Sequence, residues 1–200
     1  MKLAAAALLA FLLAACGDTA PKFQLTDITG ADFARDVQLT DHNGKRRTLP
    51  EFKGKVVVVF FGYTHCPDVC PVTLSELANV AAELGKDAER MQVLFITVDP
   101  ERDTPEVLAK YVPAFNPAFL GLYGDADATA RTGKEFKVFY QKQATPGGGY
   151  SVDHSGGTFI YDTAGRVRLF ASYGQGAAKM LADIRMLLSA AGPRDTAPIK

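Results

Sequence analysis

The chain carries no surplus charge of either sign: Lys plus Arg number 22 and Asp plus Glu number 22. There is no basic stripe for nucleic acid and no polybasic run for an anionic lipid surface, so nucleic acid is not an expected partner. Long apolar runs are missing too. The N-terminal one, Leu3 to Leu13, is far short of the roughly 20 helical residues that cross a hydrocarbon core of ~30 Å. No internal repeat is visible. Histidine and cysteine are scarce, at three each. What is present is 200 residues with 48% hydrophobic content, enough for one globular domain with a sizeable core.

The first fifteen residues have the pattern of an export signal: Met1-Lys2, the apolar run, then Leu13-Ala14-Ala15-Cys16. That ending resembles a bacterial lipobox, which implies lipidation of Cys16 and a mature protein tethered to a bacterial membrane, facing the periplasm. More than one acyl chain would make the anchor stable, at about 0.8 kcal/mol per buried methylene. An ordinary signal peptide with an incidental cysteine is the alternative. The expected division is 1–15 lipoprotein signal, 16–33 tether, 34–190 folded domain and 191–200 frayed tail. With Cys16 set aside, Cys66 and Cys70 are left as a matched pair in a compartment where disulfides can form.

The order of elements is α/β. Val37 to Thr40 and Arg46 to Leu49 flank Asn43-Gly44, whose positive φ values suit a tight hairpin turn. Lys55 to Phe61 is a continuous β-branched and aromatic run, as in a strand covered on both faces. Pro71 suits a helix start, Leu74, Leu77, Ala78, Ala81 and Leu84 follow at helical spacing, and Gly85 marks the stop. Met91 to Val98 predicts a second buried strand. Thr104-Pro105-Glu106 predicts a capped helix through Tyr111, and a further helix follows Asp125. Phe136 to Tyr140 predicts a strand, and Gln141 to Tyr150, with Gly147, Gly148 and Gly149, a mobile loop. Thr158 to Tyr161 and Arg166 to Phe170 form a hairpin, and Ala177 to Leu188 is a closing amphipathic helix. This order fits a thioredoxin-like sandwich: a central mixed β-sheet, an N-terminal β-hairpin and an insertion before the last strands.

In such a fold Cys66 and Cys70 lie where a central strand passes into a helix N-terminus, which favours anionic sulfur. A thiolate there can exchange disulfides or bind a soft metal. A structural disulfide is a poor explanation, because so small a loop removes little unfolded-state entropy. The spacing is Cys-x-x-x-Cys rather than the Cys-x-x-Cys of thioredoxin-like redox enzymes, leaving room for both sulfurs to converge on an ion. His154, before the Thr158 strand, could reach both. Two thiolates and one neutral imidazole suit Cu(I), whereas a closed zinc site wants four ligands and no fourth Cys or His is evident.

Three blocks carry a resemblance. Tyr63-Thr64-His65-Cys66-Pro67-Asp68-Val69-Cys70-Pro71, Thr97 to Pro105, and Val152-Asp153-His154-Ser155 resemble, in order, the motif blocks of the Sco/SenC copper chaperones, over approximately Asp32 to Leu188. The resemblance implies a thioredoxin-like fold, assembly of the binuclear copper A centre of cytochrome c oxidase, and Cys66, Cys70 and His154 as copper ligands. It implies copper as Cu(I), with Cu(II) left open. The apo copper-bearing oxidase subunit is the implied partner, with an upstream periplasmic copper carrier left open as a second. The protein would carry metal rather than catalyse. The alternative is a thiol:disulfide oxidoreductase using the redox pair Cys66 and Cys70 on the apo copper site or other exported proteins. Gly147 to Gly149 would let His154 swing during transfer.

The remaining candidates are lesser. His65 is expected to face outward and His42 to be solvated in its turn. Asp153 could orient His154, since ligand histidines usually donate their other N–H to an acceptor. Asp99 and Glu101-Arg102-Asp103 either pin the loop after a strand or form a solvated face. Asp68 is expected to favour the helix N-terminus.

Overall fold

The computed structural model describes residues 22–190. Ten strands are present among them: β1 Thr26–Asp27, β2 Gln38–Asp41, β3 Arg46–Thr48, β4 Val56–Gly62, β5 Met91–Thr97, β6 Leu120–Tyr123, β7 Tyr140–Ala144, β8 Tyr150–His154, β9 Gly157–Tyr161 and β10 Val167–Ser172. The α-helices are α1 Val69–Leu84, α2 Pro105–Tyr111, α3 Ala126–Glu135 and α4 Ala177–Ala190. Eight strands form one mixed sheet in the order β1-β10-β9-β4-β5-β6-β2-β3, and β7 with β8 makes a separate hairpin. β4 runs parallel to β5 and antiparallel to β9, with Val58 opposite Val93 and Ile160. The α/β sandwich, the N-terminal hairpin and an insertion before the last strands are as expected.

β4 is buried at every position, because both of its faces are covered. Val56, Val58 and Phe60 pack with Leu74 and Leu77 of α1 and Ile184 and Leu187 of α4. Val57, Val59 and Phe61 pack on the other side with Val37, Leu39, Phe136 and Val152. A central strand held from both sides is a rigid base for the loop that leaves its C-terminal end.

Several local expectations change. α1 starts at Val69, two residues before Pro71, so Cys70 belongs to its first turn. Proline is still tolerated at the third position, since the first four helical N–H groups have no intrahelical acceptor. In the β2–β3 turn only Gly44 has positive φ, +82°; Asn43 does not, and the buried Asp41 carboxylate holds the turn by accepting from the Asn43 and Lys45 N–H groups. Phe136 to Val138 is no strand: Phe136 caps α3 and turns its ring into the core, and pairing begins only at Tyr140. The glycine-rich loop is the turn of the β7–β8 hairpin, in which Tyr140 pairs with His154 and Ala144 with Tyr150.

The described part of the expected tether, 22–33, is built into the domain. Leu25 is buried, β1 pairs with β10, and the fully buried Asp183 carboxylate accepts from the Gln24 and Leu25 N–H groups. The segment's lack of periodicity hid this, because its backbone is satisfied by distant partners, the Asp183 carboxylate on α4 and strand β10. Cys16, the leader 1–15 and the tail 191–200 lie outside the described residues. Among the described residues no helix is long and apolar enough to cross a membrane.

Candidate metal centre

The loop after β4 and the first turn of α1 bring the two cysteines together. Both are free thiols; Cys66 is half-buried and Cys70 is completely buried. The Cys70 N–H, one of the free donors of the helix N-terminus, points at Cys66 Sγ at 3.5 Å. Burial pushes the Cys70 thiol well above its ordinary value, with the neighbouring Cys66 sulfur adding to the shift. Gly62 ends β4 because nothing larger fits: a Cβ there would lie 2.7 Å from Cys70 Sγ and 2.8 Å from Phe95 Cε2. A glycine closing a β-branched run is the sequence signal for such a close approach.

β8 delivers the third group. His154 Nε2 lies 3.7 Å from Cys70 Sγ, while Nδ1 lies 3.1 Å from the Ser155 carbonyl oxygen. A carbonyl only accepts, so Nδ1 carries the hydrogen, and the lone pair of the neutral ring resides on Nε2, directed at the sulfur. Burial lowers the His154 pKa and keeps the ring neutral to lower pH. The Tyr63 ring and the imidazole are nearly perpendicular, with centroids 6.0 Å apart. The orienting acceptor is the Ser155 carbonyl and not Asp153, which is exposed. His154 also sits at the base of its hairpin, opposite Tyr140, at the end remote from the glycine turn. That turn is therefore not the hinge of the imidazole.

In the charged run after β5, Asp99 and Asp103 are buried and pin the loop, while Glu101 faces solvent. Buried Asp103 accepts from Thr64 N–H at 3.0 Å, from the Thr64 hydroxyl at 2.6 Å and from the Thr97 hydroxyl at 2.6 Å, fixing the loop that leads to Cys66. Asp99, also buried, pairs with Arg102 and accepts from the Tyr150 hydroxyl. Tyr150 went unnoticed in the sequence because nothing local marks a partner fifty residues away. Tyr111 of α2 has a buried hydroxyl without a partner, and burial raises its pKa, with the Cys70 and Cys66 sulfurs adding to the shift. His65 faces outward as expected. Asp68 precedes α1 but makes no side-chain cap. His42 is not solvated: it is half-buried, and its Nδ1 accepts from the Gly121 N–H at 3.0 Å.

Cys66 Sγ, Cys70 Sγ and one His154 nitrogen all lie within 4.8 Å of one another. Two soft sulfurs and an imidazole lone pair fit a soft ion of low coordination number, and among the described residues no fourth donor joins them to close a zinc site. The fold and this donor set define a thioredoxin-like protein with a soft-metal site in place of a bare redox dithiol.

The chain belongs to the SCO1/SenC family, whose model matches residues 19–189. It is 45% identical over 123 residues to a protein of Danio rerio described as "Protein SCO2 homolog, mitochondrial", covering 60% of this chain and 44% of that one. A SCO2-like protein of Rickettsia felis is 37% identical over 135 residues, with 66% and 65% covered. The chain thus spans about half the length of mitochondrial relatives it matches, 44% for those of Danio rerio and Saccharomyces cerevisiae. Among solved structures, copper-bound ScoI of Bradyrhizobium japonicum superimposes with a TM-score of 0.70 at 40% identity, covering 76% of this chain and 98% of that one. Apo Sco1 of Thermus thermophilus gives 0.73 at 41%, covering 85% and 99%.

Proposed function

We propose that this protein is a copper carrier that binds Cu(I) through Cys66, Cys70 and His154 and passes it to the copper A site of the apo cytochrome c oxidase subunit. The observation that carries the reading is the convergence of those three donors within 4.8 Å, with the free nitrogen of His154 facing Cys70. Copper-bound relatives of the same fold support it. When bound, Cu(I) is cargo. Cys66 and Cys70 would hold it as thiolates, and the Ser155 carbonyl would keep the imidazole in the tautomer that can donate to it. Cys70 must first give up a proton that burial makes it retain, so loading releases protons. Half-exposed Cys66 is the natural point of exchange with incoming thiols or imidazoles. Export and lipid attachment at Cys16 would place this exchange in the periplasm, tethered to a bacterial membrane.

The test is a titration of reduced protein with Cu(I) against a competing chelator, beside Cys66→Ser, Cys70→Ser and His154→Ala. Each variant should bind more weakly by over about 100-fold, since even partners behind the ligands are worth about 10–100-fold. If His154→Ala binds as tightly as the parent, the copper reading fails and a dithiol remains.

A second reading rests on the half-exposed Cys66 sulfur, within reach of a target disulfide and with the Cys70 N–H directed at it. As a reductase, Cys66 would attack a target disulfide and release one target sulfur as a thiolate. Cys70 would then attack the mixed disulfide, freeing the second target thiolate and leaving Cys66 and Cys70 oxidised by two electrons. His154→Ala retaining this activity while losing tight copper binding would separate the two functions.

A further inference from the structure

Among the described residues the β7–β8 hairpin that carries His154 is paired only with itself and is not part of the main sheet. Something else must hold it against the cysteines. Val152 supplies one buried contact. The denser fastening is polar and lies on the loop after β5. Asp99 is fully buried; it pairs with Arg102 and accepts from the Tyr150 hydroxyl at 2.8 Å. Arg102 Nη1 donates to the Tyr150 carbonyl at 2.8 Å, and the guanidinium stacks 3.7 Å from the centre of the Tyr150 ring. Lys142, on the other strand of the hairpin, lies 4.6 Å from that ring and pairs with Glu101 at 2.6 Å. The Arg102 guanidinium is also 5.7 Å from the Tyr63 ring, which stands perpendicular to the imidazole.

We propose that Asp99, Arg102 and Tyr150 form a latch that holds β8 in place and so keeps the His154 imidazole aimed at the sulfur pair. Arg102 and Tyr150 are positioning residues: they act on the metal only through His154. The inference rests on the copper reading above. A planar fork suits the task, because one guanidinium both bonds a carboxylate edgewise and stacks on an aromatic face, which an ammonium does not do. The latch also gives release a mechanism. With it open the site falls back to two sulfurs, so a partner that loosened it would lower the coordination of the ion and favour transfer.

The apparent affinity of a site present only part of the time falls by the fraction of time it is assembled. Arg102→Ala would strand a buried carboxylate and endanger the fold, so Arg102→Lys and Tyr150→Phe are the variants to use. Each is measured by Cu(I) competition alone and combined with His154→Ala, and each metal-free protein is followed through its His154 ring resonances by NMR. The expected result is binding weaker by about tenfold for Arg102→Lys and about threefold for Tyr150→Phe. Neither should weaken binding further once His154 is alanine, and in both the ring resonances should shift toward those of a free imidazole. A general loss of structure would weaken the His154→Ala background just as much. Equal weakening in both backgrounds, no weakening in the parent, or unchanged ring resonances overturns the latch and leaves the copper reading intact. Full affinity in His154→Ala alone sinks the copper reading, and the latch falls with it.

Discussion

Gly62→Ala adds a single methyl group, and its consequence can be worked from distances. The backbone at Gly62 lies in ordinary strand geometry, so alanine suffers no conformational penalty there and the whole effect is steric. The new Cβ would stand 2.7 Å from Cys70 Sγ and 2.8 Å from Phe95 Cε2. Carbon contacts are comfortable from about 3.5 Å outward, so both neighbours must retreat by about 0.7 Å or more, or β4 must shift. Phe95 is fully buried and packed against Phe60 and Tyr111, so it yields at the expense of core packing, while the sulfur moves with the first turn of α1. Overpacking of this kind costs about 1–3 kcal/mol. For a chain of this size that lowers the thermal midpoint by about 2–12 °C, at about 2–4 °C per kcal/mol. Metal binding must then pull the displaced sulfur back, and with tenfold per about 1.4 kcal/mol, Cu(I) affinity should drop roughly tenfold. Thermal unfolding of the reduced, metal-free protein and a chelator competition measure the two effects separately. If Gly62→Ala matches the parent in both, Cys70 Sγ does not sit against β4 as described, and the derivation of the site from that contact is wrong.

Asp183→Ala removes the acceptor that secures the N-terminal segment. Hydrogen bonds to a charged group contribute about 1.5–3 kcal/mol, so urea unfolding should show a loss of about 2–3 kcal/mol, and the amides of Gln24 and Leu25 should exchange faster. Unchanged exchange at those amides would mean the segment is held some other way. His42 has its pKa lowered by burial, so its ring should titrate below the ordinary 6.5 when followed by NMR. The unfolded chain then takes up the proton more readily than the folded one, and His42 contributes stability above pH 6.5 that is lost as the pH falls through its folded value. Titration at or above 6.5 would contradict the half-buried ring accepting from Gly121.

Much of the architecture was legible because one physical signal dominated each element. The Val56 to Phe61 run could only be a strand covered on both faces, and Thr104-Pro105 and Asp125 act as the N-caps their chemistry suggests. Phe136 misled because an aromatic residue beside Val138 looks like a strand, although its ring serves the core from the end of a helix. The glycine run misled in the opposite sense. Three consecutive glycines, all at positive φ, are compatible with a loose loop, but here they make the turn of a paired hairpin.

Local chemistry, written in the order of residues, determined which atoms can bind a soft metal: two cysteines at a strand-to-helix junction and one histidine after a glycine-rich stretch. It equally determined where the chain is extended, helical or turned. Folding alone decided that the histidine faces the sulfurs, which of its nitrogens is free, and what clamps its hairpin. The first and last of these depend on contacts between residues 48 to 84 positions apart, from Arg102 with Tyr150 to Cys70 with His154. No periodicity or spacing encodes such contacts; they exist only once burial against a common sheet has brought the segments together.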